Sequence, residues 1–540
     1  MSFSDLQAFV HALESRGQLK RIRAEVNPDL EVSEITNRVS KSLCPEGLGG
    51  APATDPVHGA RGGHALVFEN VQGSNVPLAI NLYGSYARVQ MALGCEKLEE
   101  LAARIERLIQ PQPPTSLVEK MKMLPELVKI AGYAPKPVKH GICQEVVHTK
   151  DADLLAFPII KCWPHDGGAD RDVIVGEPVN REDRPPAHSE GAGSVASSAT
   201  PAEQGLPGRY ITLASILTTA PDGSEPNLGM YRIQVTGPQS ALFHCHVHHD
   251  GARHLRRHVA EGRDMPVALI LGGESVLPYA ATCPLPPGVS ELLFAGFLND
   301  GGIPVVKART VPLEVPADAE IVIEGWVSAT ETAREGPFGD HTGFYSLPEL
   351  CHKLRVTAIT HRKNPIYPTT IVGPPPMEDY YLGKATERVF LPLLQMIVPD
   401  LVDYHLPQWG AFHNICFVKI RKEYPLQARK VASAIWGAGQ MMFSKFIIVV
   451  DDDVNVHDEQ AVMFAVGANV DPRRDTFVID GPMDILDHAA PLYGAGSKMC
   501  IDATRKLKGE GVVRDWPTML KMSEDVVRLV DQRWREYGLS

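Results

Sequence analysis

The chain has 540 residues, which sets two or three domains as the expectation. Hydrophobic residues make up 44% and charged residues 22%, the balance of a globular protein with a real core. Fifty-three Lys and Arg against 65 Asp and Glu leave a formal charge of −12, which argues against nucleic acid or anionic lipid as the main partner. The opening Met1-Ser2-Phe3-Ser4-Asp5 lacks the basic start and apolar run of a signal peptide, and apolar stretches such as Phe446 to Val450 are too short for a transmembrane segment. Nine scattered cysteines without a Cys-x-x-Cys exclude structural zinc of that kind and suit a reducing compartment. These features together predict a cytoplasmic, multi-domain enzyme.

In chain order, Leu6, Phe9, Val10 and Leu13 predict a helix stopped by Gly17, followed by a strand from Leu19 to Val26 and a helix from Val32 to Ser42. Cys44 to Gly63 reads as a surface loop before a strand at Ala65 to Phe68. Helical patterns at Cys95 to Ile109 and Leu117 to Ala131 complete an α/β N-terminal segment over 1–135. From 136 to 349 the pattern changes to short strands separated by Gly and Pro turns, as in a small barrel or sandwich. The strands are expected at Tyr210 to Thr218, Met230 to Val235, Ala241 to His248, Val267 to Leu271 and Ala319 to Trp326. Within this region 181–205 reads as a mobile insertion. A C-terminal α/β domain over 350–522 alternates strands at Ile415 to Ile420, Phe446 to Val450 and Thr476 to Ile479 with helices at Leu426 to Trp436 and Glu459 to Asn469. That alternation predicts a mainly parallel sheet. Residues 523–540 predict a packing helix, on its own chain or on a neighbour.

Several clusters could carry chemistry. In Phe243-His244-Cys245-His246-Val247-His248-His249-Asp250, strand alternation would put His244, His246 and His248 on one face, able to meet a metal, a phosphate or a flavin. His254 and His258, further on, read as surface residues of a helix. Arg232, at the end of Asn227-Leu228-Gly229-Met230-Tyr231-Arg232, could hold a carboxylate in its planar fork, or simply be a surface salt-bridge partner. Glu291 reads first as an acid complementing a helix N-terminus. Glu335 and Asp340 flank a Gly-Pro-Phe-Gly turn that can bring both acids to one site, where like charges would raise the pKa of one of them; the alternative is a polar hairpin loop. Asp451-Asp452-Asp453 could bind a cation but reads first as a solvated strand end and helix-capping turn, and Gly494-Ala495-Gly496-Ser497-Lys498 lacks the spacing of a phosphate loop.

Taken together, Asn227 to Arg232, Pro287-Gly288-Val289-Ser290-Glu291 and Glu335 to Asp340 resemble the UbiD family of prenylated-flavin-dependent, non-oxidative decarboxylases. Cys162-Trp163-Pro164, Asp451 to Asn455, Gly496 to Met499 and Asp502-Ala503-Thr504 extend the resemblance nearly end to end. The resemblance implies a split β-barrel flavin-binding region, an α/β C-terminal domain and a homodimer or homohexamer. It implies prenylated FMN as cofactor, with Mn2+ (or Mg2+) and K+ beside it and a flavin prenyltransferase as supplier. By position it makes Asn227 and Glu291 metal ligands, with His248 as the third, or His249 after a one-residue shift. Met230, Tyr231 and Arg232 match a flavin-contacting stretch, and His244, His248 and His249 fall in the next. Arg232, Glu335 and Asp340 resemble the catalytic network, with Asp340 as proton donor. An Asp at 340 matches members acting on hydroxybenzoates, where other members carry Glu, and the 181–205 insertion lies outside the family pattern.

The constellation suits the reaction. Loss of CO2 from an sp2 carbon leaves a carbanion that no side chain delocalises, so a cofactor must be the electron sink. The expected substrate is an aromatic, hydroxybenzoate-like acid or an unsaturated acid, in either direction of reaction. A prenylated substrate would place the protein at the membrane periphery. Two rival readings stand beside this one: a flavin reductase or oxidoreductase on a split barrel, and a non-catalytic flavin-binding subunit.

Overall fold

The computed structural model describes residues 2–45, 55, 58–109, 129–174, 208–286 and 288–539. Most of the helix expected at Leu117 to Ala131, and all of the 181–205 insertion, lie outside the described residues. The α/β architecture is the one expected: a curled antiparallel sheet between an α/β opening and an α/β C-terminal unit.

The opening begins with the helix Leu6–Ser15, capped where the Ala8 N–H donates to Asp5 Oδ1 (2.8 Å). Its buried Leu6, Phe9, Val10 and Leu13 share one core with Leu217, Ala268, Ile270 and Val322 of the curled sheet. The strand Leu19–Val26 runs parallel to Ala65–Val71, in a four-stranded sheet completed by Leu78–Ile80 and Tyr367–Thr369. A helix at Tyr86–Leu93 interrupts the expected pattern. Its inward face includes Arg88, fully buried, whose guanidinium donates to the Gly62 and Gly63 carbonyls (2.8 and 2.7 Å).

Among the described residues the central sheet has nine strands, with Tyr210–Ile211 at one edge and Asn227–Met230 at the other. Two expected strands prove to be two each, and the breaks make the fold. Tyr210–Ile211 and Ser215–Thr218 are consecutive in sequence yet lie near opposite edges, as do Asn227–Met230 and Ile233–Gly237. Three Cα steps from Met230 to Ile233 span at most about 11 Å. The edges must therefore approach each other, and the sheet curls into a half-barrel. The strand expected at Ala241 to His248 stops at Phe243; His244 to His249 form an irregular turn into the helix Asp250–Ala260. Strict alternation of three imidazoles on one face is thereby lost. His254 and His258, expected at the surface, are buried.

The C-terminal sheet runs Leu401–His405, Ile415–Ile420, Phe446–Asp451, Ala495–Asp502 and Thr476–Pro482. Its centre is parallel and both outer pairs are antiparallel. The helices Gln427–Trp436 and Glu459–Asn469 bury their apolar residues in separate cores. Gly496 to Lys498 belong to a strand, and Lys498 turns its ammonium to the Met442 carbonyl. Asp451 and Asp453 pair with Arg505 (3.2 and 3.1 Å), in keeping with a strand end. The tail helix Glu524–Arg533 forms, but none of its residues is buried.

Candidate active site

The break between Met230 and Ile233 delivers Arg232 to the inside of the half-barrel. Its guanidinium makes a two-point fork on Glu335, Nε to Oε1 (3.0 Å) and Nη2 to Oε2 (2.9 Å). Nη1 donates to Asp340 Oδ2 (2.7 Å), and Nη2 also reaches Ser346 Oγ (3.0 Å). The guanidinium carbon sits 5.0 Å from the centre of the Phe338 ring. His244 Nδ1 lies 2.7 Å from Glu335 Oε2 and 3.4 Å from Cys351 Sγ. The side chain of Glu335 is fully buried and that of Asp340 is 11% exposed.

The turn between the two acids is fixed by backbone contacts. Tyr210 Oη donates to the Gly336 carbonyl (3.0 Å), Gly336 N–H to Gln234 Oε1 (3.0 Å) and Gly339 N–H to Asp166 Oδ1 (2.8 Å). Asp166 also accepts from the Cys162 and Trp163 amides (3.1 and 2.9 Å). A Cβ at Gly339 would stand 2.1 Å from Trp163 Cδ1, which is why the turn needs glycine there. Asp166 escaped the sequence reading although it follows Cys162-Trp163-Pro164 by two residues.

The electrostatics correct one expectation. The acids do not raise each other's pKa, because Arg232 stands between them. Burial alone would raise Glu335, but Arg232 and then His244 outweigh it and hold the carboxyl at about 2. Burial pushes Asp340 the same way, and the His341 hydrogen bond and charge, with Arg232, hold it well below the usual carboxylate range. His341 Nδ1 lies 3.0 Å from Asp340 Oδ1; burial would lower the imidazole, but that contact lifts it to about 9.

A second cluster lies on the edge strand Asn227–Met230. The Asn227 amide nitrogen donates to Thr218 Oγ1 (3.1 Å) and Tyr231 Oη (3.2 Å), so its carbonyl oxygen takes no part in either bond. Glu291 begins the helix Glu291–Leu298 and accepts from the Leu228 N–H (2.9 Å); burial pushes its carboxyl up to about 7. His249 stacks on Tyr231 at 5.6 Å, its Nδ1 is buried without a partner, and burial lowers its pKa to about 4. His248 packs against Phe443 instead (5.4 Å). His254, read from sequence as surface, reaches Thr218 Oγ1 through Nδ1 (3.0 Å) and leaves Nε2 buried and unpartnered. Helical spacing gave no signal of this.

The chain matches, in order, the N-terminal domain of 3-octaprenyl-4-hydroxybenzoate carboxy-lyase over residues 10–108, its Rift-related domain over 201–375 and its C-terminal domain over 380–503. The chain belongs to the UbiD family. It is therefore a carboxy-lyase. An uncharacterized protein from Aquifex aeolicus is 43% identical over 538 residues, 99% of each chain, and one from Archaeoglobus fulgidus is 40% identical over 538 residues, again 99% of each chain. Among solved structures, the vanillic acid decarboxylase of Sedimentibacter hydroxybenzoicus in its closed form gives a TM-score of 0.77 at 25% identity, covering 100% of both chains. The UbiD-class enzyme HmfF of Pelotomaculum thermopropionicum, in complex with FMN, gives 0.70 at 26% identity, covering 98% of this chain and 99% of its own. No helix among the described residues is long and apolar enough to cross a membrane.

Proposed function

We propose that this UbiD protein is a non-oxidative decarboxylase of an aromatic, hydroxybenzoate-like acid or an unsaturated acid, working with prenylated FMN. The observation that carries the proposal is one buried guanidinium bound to two carboxylates, Glu335 and Asp340. A non-catalytic flavin carrier needs no such pair, and neither does a flavin reductase. HmfF has been solved with FMN and, in an evolved dimeric form, with the prenylated cofactor, which supports the same group here. When bound, the prenylated flavin supplies the electron sink for the carbanion that CO2 leaves behind.

The chain's residues do the rest. Glu335, fully buried and fixed by Arg232 and His244, stays ionised and orients the guanidinium. Arg232 receives the substrate carboxylate. That third carboxylate beside one guanidinium is a like charge next to Asp340, the more exposed acid, and favours protonation of Asp340. Substrate binding thereby loads the proton that Asp340 passes to the carbon losing CO2; the carboxylation direction runs the same steps backwards.

The second cluster fits a divalent cation. Buried Glu291 has one backbone donor from Leu228 against its charge, and the Asn227 carbonyl and an imidazole complete a hard oxygen-nitrogen donor set suited to Mn2+ or Mg2+. Between His248 and His249, the unpartnered Nδ1 of His249 and its stacking on Tyr231 favour His249 as the third ligand. Such a cation would let an acidic protein hold a flavin phosphate.

The test is to produce the protein with and without a flavin prenyltransferase and to screen aromatic acids for CO2 release in deuterated water. Activity confined to the co-produced protein is expected, with deuterium at the carbon that lost CO2. Full activity with unmodified flavin, or with none, would overturn the reading, and consumption of a nicotinamide cofactor without CO2 would favour the reductase.

A further inference from the structure

A third cluster adjoins Asp340 without belonging to either site above. His341 follows Asp340 in the turn of the half-barrel, whereas His413 and Asp484 come from two loops of the C-terminal unit. One ring nitrogen of each histidine and one carboxylate oxygen of Asp484 lie within 4.8 Å of one another. The imidazole centroids of His341 and His413 are 5.1 Å apart.

The hydrogen bonds around the cluster decide which nitrogens face inward. His413 Nδ1 donates to the Ala411 carbonyl (2.8 Å), and a carbonyl only accepts, so the hydrogen is on Nδ1. Its buried Nε2 faces Asp484 Oδ2 at 3.1 Å, and in the neutral imidazole that nitrogen presents a lone pair. His341 Nδ1 is likewise taken up by Asp340 (3.0 Å), leaving Nε2 for the cluster. The inward nitrogens and the Asp484 carboxylate need positive charge between them, which either Nε2 protons or a metal that displaces them must supply. Each histidine also has the outer partner that metal-bound imidazoles use, a carboxylate on His341 and a backbone carbonyl on His413. The 3.1 Å edge between His413 and Asp484 is close to the edge of about 3.3 Å that a tetrahedron with bonds of about 2.0–2.1 Å requires.

The geometry points to a second metal site, in which His341 Nε2, His413 Nε2 and Asp484 bind a divalent cation of the zinc class and so tie the turn carrying Asp340 to the C-terminal unit. Two imidazoles and one carboxylate leave a fourth position for water or an oxygen of a bound ligand. The donor set is softer than that of Asn227 and Glu291, so the two sites differ in the metal they prefer. The inference rests on this cluster alone and survives a failure of the decarboxylase reading.

Cobalt(II) is the probe, titrated into the full-length, metal-stripped protein and read by visible absorption and metal analysis. The wild type is expected to show the intense bands of a low-symmetry, four-coordinate centre. Asp484→Asn and His413→Gln should lose those bands and one cobalt per chain, while Glu291→Gln keeps them. Zinc should also raise the melting temperature of the wild type and leave that of Asp484→Asn unmoved, a comparison that checks folding of the variant. Absence of the bands in the wild type, or their persistence in both cluster variants, would show that the cluster is an ion pair held by protons and overturn the proposal.

Discussion

The two clusters at either end of the Asn227 to Arg232 segment are built on opposite principles. Around Arg232 every charge is already answered: Glu335 and Asp340 sit on one guanidinium, His244 adds a second partner to Glu335 Oε2, and His341 covers the other oxygen of Asp340. Around Asn227 the charges are left open, with Glu291 lifted to about 7 and unpartnered nitrogens on His249 and His254. A centre that acts on a small substrate gains from being set before the substrate arrives. A centre completed by a metal must keep its donors vacant at some cost in stability.

Substitutions can break that contrast, and the largest effect is expected at Arg232. Arg232→Met removes the cation from two buried carboxylates, and breaking a buried ion pair from one side costs roughly 3–5 kcal/mol. Chemical denaturation should show that loss together with loss of turnover; wild-type stability would mean the network is not prearranged. Asp340→Asn comes next. Loss of a general acid lowers the rate by about 10²–10⁴-fold, while flavin and manganese contents should stay normal. Retention of more than about half of turnover would pass the role to Glu335 or to water.

The pH dependence sharpens the contrast because its sign differs between the clusters. Glu335 is depressed in the folded chain, so its contribution is complete above the unfolded carboxylate range and fades as pH falls towards 2. Glu291 is raised, so the metal-free chain should lose stability as pH climbs from the ordinary glutamate value through about 7. Glu291→Gln should flatten that limb of the thermal-shift profile and release manganese and flavin together. A variant that keeps both at wild-type stoichiometry would remove Glu291 from the metal site. The smallest effect is expected from His254→Gln, which changes a partner of Thr218 behind Asn227; outer-shell changes cost about 10–100-fold in metal affinity. Manganese titration followed by metal analysis measures it, and unchanged affinity would make His254 a packing residue.

Local pattern made the outer elements legible and failed where polar groups are buried or where one element becomes two. The helix of Leu6, Phe9, Val10 and Leu13 follows its periodicity, and the ends of the strand Leu19–Val26 match the local reading. Tyr86–Leu93 was missed because its inward face carries Arg88 and Tyr86, which read as solvent-facing in a helical pattern. The strand Ala495–Asp502 was missed because Gly496 and Ser497 weaken the strand signal and Lys498 buries its ammonium. The segments Tyr210 to Thr218 and Met230 to Val235 are continuous in hydrophobic pattern, and only the tertiary crossing divides them. Arg232, Glu335, Asp340, Asn227 and Glu291 were all singled out from sequence, because family motifs carry them. Asp166, His254 and the grouping of His341 with His413 and Asp484 depend on contacts between segments far apart in the chain, which no local window contains.

The two-residue bridge from Met230 to Ile233 has an engineering consequence. It joins opposite margins of the half-barrel, and the residues serving the two clusters, Asn227 and Arg232, lie just either side of its start. One added residue there would advance the following strand by one position and turn its inward side chains outward. The connection therefore behaves as a spacer of fixed length, and variation in chain length among working relatives must be absorbed elsewhere. Libraries built to change substrate range should therefore vary the stretch from Asn227 to Ile233 in residue type only.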